Sequence, residues 1–434
     1  MMSSSFSTDP TKRFPYQPPS WAQDVLTNVP SAGRLHLAHL PTPLYKLSLH
    51  EKSTSPVKEE DSVLKQLDEL DISLWIKRDD MCGGVETGGN KIRKLEFLLA
   101  EALSLGRQSV VTIGGEQSNH CRATAAAARM VGLEPHLILR TKRADPIQKQ
   151  EENIGYTGNI LFDRMVGSTI YTCTPGEYGR LGSRELVSRL CQHLKNNNEE
   201  SSQSSGEPYA IPVGGSNGVG TWGYINGVDE LMQQWKSIDS SPSLDHVVFA
   251  CGSGGTATGI AVGLALAHGA GSATPTATTP TVHAVGVCDT PDYFYGFCAG
   301  IADEMGFKLP GDASTESFIR DHMIAHQGKG LGYAVSTQEE LDFCTNFALE
   351  TGVVLDPVYS GKALYHFIKG VLEEDPEKYR GKNVLLWHTG GSLGMYDKGP
   401  SLIPTLDGVA PAKRLDIYGK NLEHSIDISE SVDS

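Results

Sequence analysis

The sequence is poor in positive charge, with 37 lysines and arginines against 52 aspartates and glutamates and a formal net charge of −15 at pH 7. A chain of this sign repels phosphate backbones and anionic lipid surfaces, so we expect neither nucleic acid nor membranes as partners. An anionic ligand then has to be held by local geometry. No apolar run approaches the roughly 18 to 20 residues that cross a bilayer, and no secretory signal follows the first methionine.

The eight cysteines are scattered singly, without a C-x-x-C pair or a metal-like spacing to histidine. This pattern predicts a reducing compartment, no structural zinc and no other metal site. The first residues are serine-rich, as in an organellar transit peptide, but they include Asp9 and only one arginine. We therefore expect a disordered tail and a cytoplasmic protein, with the mitochondrion as the alternative.

At 434 residues the chain is long enough for two lobes with a cleft between them. From about Ser109, short β-branched runs alternate with alanine-rich or leucine-rich stretches, which is typical of βαβ units in a mainly parallel sheet. Ligands bind at the carboxyl ends of the strands in such sheets. Buried strands are predicted over residues 109–115, 136–141, 209–215, 246–252, 281–288 and 383–391, a helix over 121–133, and surface loops over 196–207 and 269–281.

A glycine-rich segment, GGVETGGNKIRKLEFLLAEAL over residues 83–103, runs into a leucine-rich helix at Asn90 and Lys91. A lysine at a helix N-terminus meets the positive end of the macrodipole. Lys91 is therefore a candidate for a lowered pKa and for imine formation. The alternative, from the local sequence, is a solvated lysine in a basic cluster.

Two more glycine-rich turns follow predicted strands. In GGEQSNHCRA (114–123), the backbone N–H groups around Ser118, Asn119 and His120 suit the carboxylate of an amino acid, unless Ser118 and Asn119 only cap the helix. In ACGSGGTATG (250–259), a nest of N–H donors suits a phosphate monoester, unless it is a plain strand–helix turn. This turn is no Walker loop, and Ala257 stands where a dinucleotide-binding turn has its third glycine.

Polar residues also follow two other predicted buried segments. The segment VVLDPVYSGKAL (353–364) places Tyr359 and Ser360 between a proline-containing turn and a helix. The segment LLWHTGGSLGMYD (385–397) places Thr389 before a Gly-Gly pair. A lone tyrosine or threonine is usually structural, so their position at strand carboxyl ends is what makes them candidates.

These five segments, in this order, resemble the 1-aminocyclopropane-1-carboxylate deaminase / D-cysteine desulfhydrase family of pyridoxal-5′-phosphate (PLP) enzymes. The resemblance covers roughly residues 35–400 and is carried by G-G-N-K-x-R-K-L-E, Q-S-N-H and D-P-V-Y-x-G-K. It implies an α/β protein of the tryptophan-synthase-β-like PLP fold type II. Two open, twisted, mainly parallel α/β domains would form the active site in the cleft between them, in a homodimer that acts on a small amino acid.

The domain boundaries expected for this fold leave two tails. The expected segments are a disordered tail over residues 1–20, a large PLP-binding domain over 21–94 and 216–420, a small domain over 95–215, and an acidic tail over 421–434.

The resemblance also implies roles for the matching residues. Lys91 would form the Schiff base with the cofactor, and Asn119 would hydrogen-bond its phenolic oxygen. Ser118 would lie beside the substrate carboxylate or its Cα proton, and Tyr359 would face the substrate. Tyr333, in the shorter match GKGLGYA, is a second candidate catalytic tyrosine. The remaining candidates that would bind the cofactor are Gly252, Ser253, Gly254, Gly255, Thr256, Ser360 and Thr389. Asn119 and His120 would also bind the substrate.

Ser360 bears on the choice of substrate. The deaminase branch has a carboxylate after the D-P-V-Y tyrosine, which favours a protonated cofactor pyridine and the strong electron withdrawal needed to open a cyclopropane ring. A serine hydroxyl only hydrogen-bonds a neutral pyridine, and this is enough for eliminating thiolate. The sequence thus predicts α,β-elimination of D-cysteine to pyruvate, hydrogen sulfide and ammonia. The alternatives are 1-aminocyclopropane-1-carboxylate deaminase, D-serine dehydratase, L-cysteate sulfo-lyase, a catalytically silent PLP-binding protein and a nucleotide-binding dehydrogenase.

Overall fold

The computed structural model describes residues 9–48, 57–200, 206–239, 242–270, 279–308 and 314–409. The strands in this part of the chain form two sheets. Their bounds are β1 Leu44–Lys46, β2 Ser73–Arg78, β3 Ser109–Gly115, β4 Glu134–Arg140, β5 Thr169–Cys173, β6 Tyr209–Ala210, β7 His246–Cys251, β8 Thr281–Gly286, β9 Ile324–Gln327 and β10 Asn383–His388.

The larger sheet has the strand order β1-β2-β10-β7-β8-β9, and the smaller sheet has the order β5-β4-β3-β6. Neighbouring strands pair in parallel, except that β1 runs antiparallel to β2. Every residue of the central strand β7 is buried, as expected of a parallel strand covered on both faces. The predicted mainly parallel α/β architecture is confirmed.

Helices cover both faces of the larger sheet. One face packs against α7, α8 and α9, and the other packs against α11 and α12. The helices are α1 Val63–Glu69, α2 Lys91–Ser104, α3 Asn119–Met130, α4 Ala144–Gln148, α5 Asn159–Met165, α6 Pro175–Glu200, α7 Gly218–Lys236, α8 Gly255–Ala267, α9 Pro291–Glu304, α10 Thr315–His322, α11 Gln338–Thr351, α12 Ser360–Phe367, α13 Pro376–Tyr379 and α14 Gly399–Val409.

Helix α2 lies between the two sheets because two of its faces are apolar. Leu95, Leu98 and Leu99 recur with helical spacing and pack into a core shared with β3 and α3. Phe97, on another face, packs into the core of the larger sheet. The helix that begins at Lys91 therefore contacts both lobes.

Two predictions of local structure are wrong in part. The strand predicted over 209–215 is limited to Tyr209–Ala210, because Pro212 has no N–H to donate and Gly214, at φ +66°, turns the chain. The loop predicted over 196–207 is wrong at its start, because α6 continues to Glu200, while residues 201–205 lie outside the described residues. The other predicted strands correspond to β3, β4, β7, β8 and β10, and the predicted helix corresponds to α3.

Residues 9–20 differ from the tail expected over residues 1–20. Phe14 pairs with Arg34 in an isolated antiparallel bridge, and the ring of Tyr16 packs edge-on against Phe97. Aromatic side chains that find apolar partners anchor a segment that composition alone marks as polar. Residues 1–8 and the acidic tail over 421–434 lie outside the described residues.

The strands of the two sheets fall on opposite sides of the predicted domain boundaries at 94/95 and 215/216. Helix α2, however, runs across the first of these boundaries. The boundaries themselves stay a prediction.

Arg93 lies in a buried group of charges, two residues beyond Lys91. Its guanidinium donates to Asp79 at 2.9 and 2.8 Å and to Glu230 of α7 at 3.0 and 2.9 Å. Lys77 of β2 also pairs with Glu230. These contacts compensate the buried charges and fasten α2 to α7 and to the end of β2.

Replacing Asp79 by Ala is expected to lower the free energy of unfolding by about 3–5 kcal/mol, because the guanidinium of Arg93 then stays buried without this partner. Urea denaturation measures the loss. The control, Glu373→Ala, breaks the more exposed Lys369–Glu373 pair and should cost less than about 1 kcal/mol. A loss at Asp79 as small as that at Glu373 would contradict the fastening role.

Candidate active site

A cavity of about 980 Å³ is lined by the carboxyl ends of β3 and β7, which belong to different sheets. Ligands bind at such strand ends in open α/β proteins. The predicted residues that line the cavity are Lys91, Ser118, Asn119, His120, Gly252, Ser253, Thr256, Tyr333, Tyr359 and Thr389. Gly254, Gly255 and Ser360 do not line it, although they belong to the same turns.

Lys91 is the first residue of α2, and its Nζ donates to Oδ1 of Asn90 at 2.8 Å. Burial and the nearby positive charge of Arg122 lower the pKa of Lys91 to about 8. The start of the helix adds no stabilisation to an ammonium ion. Lys91 thus presents an amine that is partly neutral close to physiological pH.

Arg122, on α3, holds the loop that leads into Lys91. Its Nη1 donates to the backbone oxygens of Glu86 at 2.9 Å and Gly88 at 2.8 Å. Sequence reasoning missed this residue, because its partners are backbone atoms of a segment more than thirty residues away. One arginine therefore fixes the loop before Lys91 and also lowers the pKa of that lysine.

The turn between β7 and α8 is the predicted phosphate cup. Gly254 has φ +81°, a conformation that favours glycine. The hydroxyls of Ser253 and Ser216 lie 2.8 Å apart, and the N–H of Gly255 donates to Ser216 at 3.2 Å. The side chain of Thr256, at the start of α8, accepts from the amide of Asn90 at 3.2 Å. Hydroxyl and N–H groups thus converge beside the helix N-terminus, which favours an anion.

Lys94 supplies a hydrogen-bond donor to the same turn. It lies one helical turn beyond Lys91, and its Nζ donates to the oxygen of Gly214 at 3.1 Å and to Ser216 at 3.2 Å. A Cβ built on Gly255 would lie 2.9 Å from this Nζ. Burial holds the pKa of Lys94 well below its usual range. Sequence reasoning missed Lys94, although its spacing of three from Lys91 places both on one helix face.

The turn after β3 places its three candidates differently. Ser118 caps α3, since its Oγ accepts from the N–H of Cys121 at 3.2 Å. Oδ1 of Asn119 is buried without a hydrogen-bond partner among the described residues. His120 lies 2.8 Å from the hydroxyl of Thr112, and burial holds its pKa well below the usual range. The amide of Asn119 is therefore available to hydrogen-bond a ligand. His120 is neutral, and one of its ring nitrogens is already hydrogen-bonded to Thr112.

Two tyrosines form a pair in the cavity. The hydroxyls of Tyr333 and Tyr359 lie 2.7 Å apart, and burial raises the pKa of both. Tyr359 also lies against the phosphate turn, because a Cβ on Gly252 would lie 3.2 Å from its ring. Both candidate tyrosines therefore belong to one site.

Asp356 fixes the backbone that carries Tyr359 and Ser360. Its carboxylate accepts from the N–H groups of Val358 at 3.0 Å, Tyr359 at 2.8 Å and Ser360 at 2.9 Å. Burial raises the pKa of Asp356 to about 6 despite these hydrogen bonds. Aspartate side chains often bond to the backbone that follows them, which is the signal by which this residue could have been found.

Ser360 is in contact with a neutral imidazole. Its Oγ lies 2.9 Å from Nδ1 of His388 and 3.5 Å from the hydroxyl of Thr389. Nε2 of His388 lies 3.7 Å from a carboxylate oxygen of Asp80, yet burial lowers the pKa of His388. Neither His388 nor Asp80 stands out in the sequence, because the pairing of β10 with β2 brings Asp80 close to His388, and Ser360 meets that imidazole from the start of α12.

A family model for pyridoxal-phosphate-dependent enzymes matches residues 41–390. The chain belongs to this family. Its cofactor is PLP, as the sequence predicts, and its two-lobed α/β architecture is that of PLP fold type II.

Three similar proteins have more specific descriptions than the family. A relative from Arabidopsis thaliana, a bifunctional D-cysteine desulfhydrase/1-aminocyclopropane-1-carboxylate deaminase described as mitochondrial, is 43% identical over 88% of this chain and 84% of its own length. A D-cysteine desulfhydrase from Serratia proteamaculans is 32% identical over 85% of this chain and 97% of its own. The solved structure of an ACC deaminase homologue superposes with a TM-score of 0.64 at 27% identity, over 89% of this chain and 99% of that chain.

The residues of the cavity fit PLP. An amine of lowered pKa at Lys91 suits an aldehyde, and the turn with Lys94 suits a phosphate. The partnerless amide oxygen of Asn119 indicates a polar group beside it. In the described part of the chain, no cluster of three metal-binding side chains was found and no helix is long and apolar enough to cross a membrane.

Uptake of PLP by cofactor-free protein is expected to accelerate as the pH rises through about 8 and to level off above it, because only the neutral amine of Lys91 attacks an aldehyde. Borohydride reduction followed by mass spectrometry of peptides identifies the labelled lysine. Lys91→Arg keeps the positive charge and should take no label. Label on Lys94 instead of Lys91 would contradict the assignment.

Proposed function

We propose that the chain catalyses α,β-elimination of D-cysteine to pyruvate, hydrogen sulfide and ammonia. The observation that carries this choice is Ser360, whose hydroxyl contacts the neutral imidazole of His388 where the deaminase branch has a carboxylate. The relatives named D-cysteine desulfhydrase support it.

In this proposal Lys91 would hold the cofactor covalently, and Lys94 would hold its phosphate together with the turn of residues 252–256. Asn119 would hydrogen-bond the phenolic oxygen, and Thr389, with Ser360 behind it, would serve the pyridine nitrogen. The bound cofactor withdraws electrons from the substrate and weakens its Cα–H bond.

Two residues can take the Cα proton. Lys91 has an amine whose pKa of about 8 suits a general base, and Ser118 lies in the turn that would hold the substrate carboxylate. The N–H groups at the start of α3 favour an anion there, which orients the amino acid with its carboxylate at the small sheet.

The tyrosine pair can protonate the departing sulfur. The raised pKa keeps both phenols protonated at neutral pH. In a hydroxyl pair, one proton lies between the two oxygens and the second is free for another acceptor. A thiolate leaving Cβ is such an acceptor, so the Cβ–S bond breaks toward sulfur and the product is hydrogen sulfide. The unsaturated amine released then hydrolyses in water to pyruvate and ammonia.

Deamination of 1-aminocyclopropane-1-carboxylate is the second candidate function. It is favoured by the Arabidopsis relative, whose name includes both activities. Ser360 favours D-cysteine over this substrate, because the serine offers the cofactor no negative charge. A homodimer, and a cytoplasmic location with the mitochondrion as the alternative, complete the proposal.

Replacing Tyr359 by Phe is expected to lower kcat for D-cysteine by about 10²- to 10⁴-fold, because the proton donor to sulfur is lost. Sulfide and pyruvate release measure the effect. The control is Tyr365→Phe, the same change in the helix that follows Tyr359, at a hydroxyl that contacts Glu339 outside the cavity. No sulfide from D-cysteine with the unmodified enzyme would overturn the proposed activity, and full activity of Tyr359→Phe would remove this tyrosine from it.

Replacing Lys94 by Met is expected to weaken PLP binding about 10- to 100-fold, because a hydrogen bond to a charged group contributes about 1.5–3 kcal/mol. Affinity for pyridoxal, which lacks the phosphate, should change much less. Fluorescence titration of cofactor-free protein with both compounds measures the ratio. An equal loss for both would assign Lys94 to the fold alone.

A further inference from the structure

Arg140 is a cation of the cavity that the reaction above does not use. It is the last residue of β4, and the strand register places it opposite Gly115 of β3. Its guanidinium carbon lies 4.8 Å from the ring centroid of Tyr178 and 5.7 Å from that of Tyr333. The guanidinium is therefore stacked on aromatic faces at the side of the catalytic tyrosine pair.

No carboxylate or hydrogen-bond acceptor in the described part of the chain pairs with Arg140. By contrast, Arg143, three residues on, pairs with Glu116 and Glu152. A guanidinium has five N–H donors in a planar fork that matches an oxyanion. Stacking on rings leaves those in-plane donors available to a ligand in the cavity.

The lining of the cavity is positive in a chain of net negative charge. Besides Lys91, its cationic residues are Arg140, Arg184, Lys195 and Lys329, against the acidic residues Glu207 and Asp289. Glu207 is already paired with Arg107. A low-dielectric cleft with this charge attracts anions from solution.

The position of Arg140 suits an anionic group on Cβ of an amino acid, in addition to its α-carboxylate. The turn after β3 is the proposed site for the α-carboxylate, and β4 is the neighbouring strand, about 4.8 Å away. A group on Cβ, which must also lie near the hydroxyls of Tyr333 and Tyr359, would then be within reach of the guanidinium.

We propose that Arg140 forms an oxyanion subsite that selects D-amino acids whose β-substituent is negatively charged. This inference rests on the proposed β-elimination and extends it to leaving groups such as phosphate. With O-phospho-D-serine, the Cα–H and Cβ–O bonds break and phosphate leaves with the electron pair of the Cβ–O bond. One water then converts the remainder to pyruvate and ammonia.

The test uses the holoenzyme and two unreactive probes of nearly equal shape. D-Aspartate carries a carboxylate on Cβ and D-asparagine a neutral amide. Their dissociation constants are read from the change in cofactor absorption, which needs no turnover. We expect D-aspartate to bind about 10-fold or more tightly than D-asparagine, as a charge-assisted hydrogen bond predicts. Arg140→Gln should bring the ratio close to one, and Arg140→Lys should keep part of it.

The matched control is Arg164→Gln, which removes a guanidinium stacked on Tyr156 outside the cavity. This variant should keep the full preference for D-aspartate. An unchanged ratio in Arg140→Gln, or no preference in the unmodified enzyme, would overturn the subsite. Equal weakening of both probes would also overturn it, since Arg140 would then bind the α-carboxylate.

Turnover of O-phospho-D-serine, followed by phosphate and pyruvate release, tests the substrate class. The kcat/KM for this compound should fall about 10-fold or more in Arg140→Gln, and more than the kcat/KM for D-cysteine. Failure of the proposed function is distinguishable from failure of the subsite. The absence of sulfide from D-cysteine refutes the function, whereas the probe ratio alone decides the subsite.

Discussion

The pairing of Arg93 with Asp79 and Glu230 fixes the first turn of α2, and the rest of the site depends on that turn. Buried ion pairs add little net stability over apolar packing, but they define one orientation of the elements that they join. Here they join α2 to β2 and α7, while leucines on another face hold the smaller lobe. Lys91 and Lys94 share a third face, so contacts made by other residues of α2 place the amine of Lys91 at the cavity and the amine of Lys94 at Ser216.

Basic residues are concentrated at the site, although the chain as a whole is negatively charged. A chain of net charge −15 gathers Lys91, Lys94, Arg122 and Arg140 at one site, two of them buried lysines whose pKa is lowered by desolvation. An anionic cofactor and the carboxylate of an amino acid would thus meet Arg122, Arg140 and helix N-termini in an otherwise repelling field. Burial also raises the pKa of Tyr359, which keeps its phenol protonated, and lowers the pKa of His388, which keeps its imidazole neutral.

The fold positions the site, and the polar residues in and around the cavity determine which reaction it can catalyse. In the proposed function, the Ser360–His388 contact would act on the cofactor, because it places no negative charge beside it. The Tyr333–Tyr359 pair and Arg140 lie together in another part of the cavity, where we propose that the β-substituent departs. The proposed function therefore assigns the electronic demand and the leaving group to different residues.

The sequence by itself determined the α/β class, the cofactor and the segments that meet at the site. Glycine-rich turns after buried strands, such as the one at residues 252–256, are local patterns whose geometry follows from glycine and helix termini. The tertiary structure alone decided which side chains share a partner. Lys94 meets Ser216, His388 meets Ser360, and Arg140 stacks on Tyr333, each across more than twenty residues of sequence. Such pairings, and the burial that sets the pKa of each group, arise from packing between segments and leave no trace in local spacing.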